Sequence, residues 1–442
     1  MLERYKNYKE INLPWLKSIP SHWLVKRAKS IFIPINERSE KGNEELLSVS
    51  SKYGVIKRNN ANVTMFMAES YENYKLCWEN DLVINSLWAW QTGLGFSPYH
   101  GIISTAYSVF RQKESENNCK YLHYLLRGTD YQWELQVRSK GIWRSRYQLS
   151  DNTFLDSPII LPPLSEQNKI VCYLDWKVSL IKKYIFDKEK QIELLKEQKQ
   201  ALINQAITKG FDSNVSLKDS GIDWLGKIPK HWEVRKLRYF CKFQNGISES
   251  GDFFITGTPF VNYTDVYKNF QLPLNVEGKA SSTKKQQELF SVRKGDIFFT
   301  RTSETIGEIA YSSVCFEDIE KAIFSGFLIR VRQRINKMDL SFAKYYFRSV
   351  LSRYYFCKEM NLVTRVSLGQ TLLKNMPVLL PPMEEQKKIG DYLESTISKI
   401  NNLLENYEKE IYRINEYQTR LISDVVTGKV NVQGVEVGEV VV

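Results

Sequence analysis

The chain has 442 residues and a net charge of +12, from 62 basic and 50 acidic side chains, which is room for two or three domains. At 43% hydrophobic and 13% aromatic residues it can bury real cores, and that excludes a disordered chain. No run approaches the roughly 18 apolar residues of a membrane span, and Met1 to Glu10 has no apolar signal core. The basic excess favours a polyanionic partner, nucleic acid or an anionic membrane face, although charge alone fits a merely basic cytosolic protein equally well.

In chain order, residues 1–164 read as a globular segment of short strands and turns. It opens with the phrase Trp15-Leu16-x-x-Ile19-Pro20-x-His22-Trp23. Leu46–Val49, Asp81–Ile84 and a longer run, Ile102–Phe110, have strand composition, and Tyr121–Leu126 reads as a short helix. Between them Asn85–Phe96 sets glycines beside aromatics, the mark of a tight loop at a strand end; Trp88 and Trp90 read as core or loop-packing side chains. The segment closes with Arg138, Lys140, Arg144 and Arg146 interleaved with Trp143 and Tyr147.

Residues 165–210 then read as one long helix. Pro162 and Pro163 forbid helix before it, Ser165 is placed to cap it, and Glu166 suits the positive end of its dipole. Leu174, Val178, Ile181, Ile185, Ile192, Leu195 and Leu202 step alternately by three and four, which is a coiled-coil seam of period 3.5. At about 1.5 Å per residue such a helix is about 65 Å long. Two amphipathic helices on separate cores would also carry apolar stripes, but hardly through four heptads in one phase.

The second half repeats the first. The opening phrase returns as Trp224-Leu225-x-x-Ile228-Pro229-x-His231-Trp232, displaced by 209 residues, and the proline-led helix returns displaced by 219. Residues 211–383 form the second globular segment. Within it Gly295–Ser303 occupies the place of Asp81–Ser86, and Phe324–Arg332 that of the long strand ending at Arg111. Residues 384–428 form the second helix, with Leu393, Ile397, Ile400, Leu404, Ile411, Ile414 and Leu421 on its seam; 429–442 are a valine-rich tail, an edge strand or a frayed end. An internal repeat of this size predicts a pseudo-two-fold molecule. If the helices pair antiparallel, they cross near Lys188 and Tyr407, Lys199 lies near Ile397, and Gln418 lies near Lys177 and Val178.

The residues offer no catalytic constellation. There is no P-loop, no amino-methyltransferase motif and no glycine-rich loop placed to hold a methyl donor. The four histidines do not cluster, and His22 and His231 are repeat-related, which suits a structural turn. Glu197-Gln198-Lys199 and Glu385-Gln386-Lys387 resemble part of a nuclease motif but fall on the long helices. The six cysteines form no C-x-x-C and read as reduced core thiols; no metal site is expected.

The twice-repeated frame, W-L-x-x-I-P-x-H-W leading through a variable segment to L-P-P-x-x-E-Q and a long helix, resembles the DNA specificity subunit of type I restriction–modification systems over nearly the whole chain. The resemblance implies an α+β fold: two tandem target-recognition domains, of mixed β-sheet with short helices, joined by two long helices in an antiparallel coiled coil. It implies double-stranded DNA as ligand, each domain reading half of a bipartite sequence, and a cytoplasmic, non-catalytic chain without membrane contact. It also implies two methyltransferase subunits and two motor-nuclease subunits as partners. No cofactor is expected on this chain; S-adenosylmethionine, ATP and Mg2+ would act in the partner subunits. A fused restriction–methylation enzyme and a scaffold without nucleic acid are the competing readings. For DNA, lysine and arginine supply phosphate contacts, and arginine, asparagine and glutamine read base edges. The candidates are Gln91, Arg138, Lys140, Arg144 and Arg146 in the first segment. In the second they are Lys284, Lys285, Arg301, Thr302, Ser303 and Arg365.

Overall fold

Each pair of prolines ends a strand and opens a long helix. In the computed structural model, which describes residues 3–60, 70–114, 116–142, 147–211, 214–222, 224–248, 257–303, 308–359 and 366–440, the helices are α4 (Leu164–Lys209) and α10 (Met383–Val426). Ser165 does not cap: it falls inside the first turn. The carbonyl of Pro163 instead accepts from the amides of Glu166 and Gln167, at 2.9 and 3.0 Å. The carbonyl of Pro382 does the same for Glu385 and Gln386. Proline suits this place because only its carbonyl is needed there.

Contacts divide the chain into two compact units, residues 1–189 with 408–442, and residues 190–407. Both boundaries fall near the middle of a long helix, so a unit is a globular segment plus half of each helix.

In the first unit the strands are β1 (Tyr8–Leu13), β2 (Leu16–Pro20), β3 (Leu24–Arg27), β4 (Phe32–Ile35), β5 (Leu47–Ser50), β6 (Gly54–Lys57), β7 (Lys75–Cys77), β8 (Leu82–Asn85), β9 (Leu94–Phe96), β10 (Gly101–Ile103), β11 (Tyr107–Gln112) and β12 (Pro158–Leu161). The short helices are α1 (Cys119–Arg127), α2 (Thr129–Arg138) and α3 (Asp151–Leu155). The central sheet is antiparallel in the order β4-β11-β8-β9. The expected long strand Ile102–Phe110 is in fact two. Ser104 turns the chain, its carbonyl accepting from Tyr107 N at 3.0 Å, so that β10 pairs with β7 and β11 with β4 and β8.

In the second unit the strands are β13 (Leu217–Asp219), β14 (Lys227–Pro229), β15 (Glu233–Lys236), β16 (Cys241–Asn245), β17 (Thr258–Val261), β18 (Lys279–Ala280), β19 (Asp296–Thr300), β20 (Thr302–Ser303), β21 (Ser312–Val314), β22 (Ile323–Phe324), β23 (Leu328–Gln333), β24 (Val366–Ser367) and β25 (Pro377–Leu380). The helices are α5 (Tyr263–Lys268), α6 (Lys284–Leu289), α7 (Leu340–Tyr346), α8 (Val350–Glu359) and α9 (Gln370–Asn375). The sheet repeats as β16-β23-β19-β21. Here too the expected strand Phe324–Arg332 is broken, at Ser325-Gly326-Phe327.

The seam residues lie where a coiled coil requires. Leu174, Val178 and Ile181 are buried in the first unit, with Leu421 and Val425 of α10; Leu174 joins Leu421 and Val425 in one apolar core. Leu393, Ile397 and Ile400 are buried in the second unit with Ile203 and Ala206 of α4, flanked by Leu195, Leu202 and Leu404. Each unit thus sets the start of one helix against the end of the other, which is antiparallel pairing. Ile192 is buried, while Ile185, Ile411 and Ile414 are half-buried. The polar interruptions are partnered: Lys188 with Glu410 at 3.0 Å, and Lys199 with Asn401 at 2.7 Å. Lys199 lines one cleft with Ile397, and Gln418 another with Val178. Among the described residues the tail forms no strand. Asn431 makes one antiparallel bridge to Glu3, and Val432 is fully buried.

Candidate nucleic-acid interface

The two repeated phrases turn out to be halves of one contact. In the first unit Glu166, in the first turn of α4, accepts from the indole N–H of fully buried Trp23 at 3.0 Å and meets His22 Nε2 at 2.5 Å. In the second, Glu385 accepts from Trp232 at 3.1 Å and meets His231 at 2.7 Å. The neighbouring glutamines are also explained. Gln167, 1% exposed, accepts from the amide of Asn118, the N-cap of α1, and donates to Pro162 O at 2.9 Å. Gln386 accepts from the amide of Asp339, the N-cap of α7, and donates to Pro381 O. The helix ends close the same knots. Gly428 (φ +73°) ends α10 against Pro20 and Trp23, and Gly210 (φ +68°) ends α4 against Glu385 and Trp232. The left-handed conformation is the ordinary use of glycine after a helix.

On this frame both sheets carry the same buried ion pair. Arg111 grips Asp81 through two hydrogen bonds of 2.8 and 3.0 Å, and Arg332 grips Asp296 through two of 2.5 and 2.7 Å. Hydrogen bonding to the carboxylate holds each guanidinium above its ordinary range. A second repeated arginine clamps loops. Arg127, ending α1, donates to the carbonyls of Thr92, Leu94 and Ser51. Arg348, at the matching place after α7, donates to those of Val266, Tyr267, Asn269 and Ser312. Burial pushes each of them down to about 10. The sequence carries a signal for this pair, Tyr124-Leu125-Leu126-Arg127 against Tyr345-Tyr346-Phe347-Arg348, though a fainter one than its basic runs.

The chain after the central strand of each sheet meets the chain ahead of the last short helix. Leu149 N donates to Ser86 O at 3.0 Å in the first unit, and Leu368 N to Arg301 O at 2.7 Å in the second. The first unit thereby brings Trp90, the residue before Gln91, against Tyr147, whose ring lies edge-on to it. Lys140, exposed, bridges to Gln148. Trp88 is a loop-packing and not a core residue: it is 51% exposed beside Leu87 at 47%, with its ring stacked on that of Trp90. Arg138 is held by Glu134, which also accepts from Trp15 at 2.7 Å, so its charge is engaged within the frame. Arg144 and Arg146 lie outside the described residues.

In the second unit Thr302 and Ser303 pair as β20 with Ser367 and Val366 of β24, with half-buried Arg301 directly before them. Arg365 lies outside the described residues. Lys284 and Lys285 do not share this cluster's contacts; they are exposed at the start of α6, after a Thr283–Gln286 capping box. Among the described residues the cysteines form no disulfide, and two of them, Cys172 and Cys357, are exposed and not in a core. Among the described residues no group of three or more His, Cys, Asp or Glu side chains could hold a metal, and no helix is long and apolar enough to cross a membrane.

Residues 229–413 match the family model described as the type I restriction modification DNA specificity domain. The chain is 27% identical over 361 residues to the specificity subunit of the type I restriction enzyme MjaVIII of Methanocaldococcus jannaschii, covering 80% of each chain. It is 23% identical over 330 residues to the EcoBI specificity subunit of Escherichia coli, covering 73% of this chain and 68% of that one. Its fold is similar to a chain solved in a study of complex assembly and conformational transition of a type I R-M system, with TM-score 0.72, 17% identity and 93% and 99% of the two chains covered. It is also similar to the HsdS subunit of Thermoanaerobacter tengcongensis, with TM-score 0.56, 17% identity and 93% and 98% covered.

Proposed function

We propose, from the premise that this chain belongs to the DNA specificity subunits of type I restriction–modification systems, that its two units each read one half of a bipartite DNA target. The chain is a non-catalytic component that selects the DNA on which partner subunits act. The observation that carries the reading is the contrast inside each unit. The knot, the ion pair and the clamping arginine recur at matching positions on a sheet of the same strand order, while the loops they converge on do not: Leu87-Trp88 stands where the second unit has Thr302-Ser303. Matched frames with unlike loops suit two readers of different sequences.

In this reading lysines and arginines contact phosphates and lend no sequence preference, while side chains of the loop clusters reach base edges. The helices, continuous from one unit's residues into the other's, set the unread spacer and seat two methyltransferase subunits; two motor-nuclease subunits complete the assembly. S-adenosylmethionine, ATP and Mg2+ are used in those partners, in the cytoplasm. Inserting one heptad into each helix tests the ruler: about 10 Å of added helix should widen the spacer by about three base pairs. A spacer unchanged in a folded, active variant would refute it.

A further inference from the structure

The second unit has a basic cleft. It lies at the edge of the sheet, against β16 and β23, with a volume of about 660 Å³. Six cations line it, Arg238, Lys242, Arg330, Arg332, Arg334 and Lys374, against one lining acid, Glu288. Arg332 is matched by Asp296 below it. Arg330 forms the floor and is 6% exposed. Its hydrogen-bond acceptors are all neutral: Ser291 O, Leu289 O and Gln244 Oε1. Its Nε has no partner among the described residues. Burial pushes Arg330 down to about 10 in spite of nearby Asp296, so it remains a cation at neutral pH. A buried charge whose hydrogen-bond acceptors are all neutral is costly unless further negative charge compensates it.

The repeat shows that the fold does not need this charge. Register places Arg330 opposite Phe298 and Gln244, and the same position in the first unit is Val109, opposite Val83 and Ile35. Lys242, opposite Arg332, stands where the first unit has Ile33, opposite Arg111. An apolar trio thus fills the same frame. The cationic version is an addition, and its surplus of positive charge is complementary to a polyanion.

We infer that this cleft seats the DNA sugar–phosphate backbone beside the half-site read by the second unit, with exposed Lys242 and Lys374 touching phosphate and Arg330 supplying positive potential from the floor. The inference rests on the reading of the chain as a DNA specificity subunit and adds which surface of which unit carries backbone affinity. Contacts of this kind fix register and are indifferent to base sequence.

The test uses the full chain assembled with its cognate methyltransferase subunits. Lys242→Gln with Lys374→Gln should lower the slope of log affinity against log salt by roughly 1.8, two phosphates at about 0.9 each. Cognate and non-cognate DNA should weaken alike, and phosphate-ethylation interference should vanish only beside the second unit's half-site. Gln244→Ile with Arg330→Val, the pair the first unit already uses, should weaken DNA binding in the same uniform way while the protein stays folded. Unchanged affinity and slope in both folded variants would overturn the inference. So would intact DNA affinity with loss of methyltransferase assembly, which would make the cleft a seat for an acidic protein surface. If the unsubstituted complex itself bound DNA without sequence preference, the reading of the chain as a specificity subunit would fail first.

Discussion

The repeated ion pair allows one unit to serve as the control for the other. Asp296 is fully buried, and Arg332, 27% exposed, has no second carboxylate among its hydrogen-bond partners. Asp81 is nearly as buried, but Arg111 is 36% exposed and also holds Glu37 at 3.1 Å. Asp296→Asn turns an amide toward a guanidinium that keeps its charge, next to buried Arg330. Breaking a buried pair from one side costs about 3–5 kcal/mol. Asp81→Asn leaves Arg111 with Glu37 and water, so the loss should be about 1–2 kcal/mol, the scale of a charged hydrogen bond near the surface. Two compact units are not a two-state system, so each variant should be measured locally, by hydrogen exchange of β19 and of β8 amides across a urea series. The expected result is a loss about 2 kcal/mol larger for Asp296→Asn, confined to its own unit. Equal losses, or less than about 1 kcal/mol for Asp296→Asn, would refute the assignment of Asp296 as the carboxylate that holds Arg332 in place.

His123, held at about 4 by burial and by Arg127, is neutral in the folded unit. Its unfolded value is near 6.5, so its contribution to stability is complete above that pH and is lost as pH falls toward 4. The loss is about 3 kcal/mol at most, and His123→Gln should flatten urea midpoints between pH 6.5 and 4.5 relative to the unsubstituted chain. Gly428→Ala should destabilise the first unit by about 2 kcal/mol or more. It forces a positive φ on alanine and sets a methyl 2.5 Å from the Pro20 ring, and calorimetry should show the loss in one transition. Arg127→Met should leave the chain folded but free the Thr92–Leu94 loop, relaxing selectivity in one half-site only; relaxation of both halves in target selection would refute the clamp.

The long helices were legible because their signal is periodic and local: two prolines, an acidic first turn and a seam in one phase. The repeats were legible as text, but not their meaning. Nothing local says that the His22-Trp23 turn and Glu166, 144 residues from His22, form one knot, because that contact depends on the tertiary path. Short strands were the least legible. Ser104–Ala106 and Ser325–Phe327 carry strand-like neighbours on both sides, and the breaks come from strand partners that differ across each turn. Arg138 shows what a basic run leaves out: its guanidinium is tied to Glu134, which also accepts from Trp15. Arg330 shows the converse, since a charge inside a strand of apolar pattern reads as sheet until register reveals what surrounds it.

The measurement that bears most directly on the central claim is methylome sequencing of cells expressing this chain with its cognate methyltransferase subunit, alongside the variant with Arg301, Thr302 and Ser303 replaced by alanine. Two defined half-sites separated by an unread spacer are expected, with the variant altering or erasing one half and leaving the other intact. A continuous palindrome, no modified motif, or a simultaneous change in both halves would contradict the account.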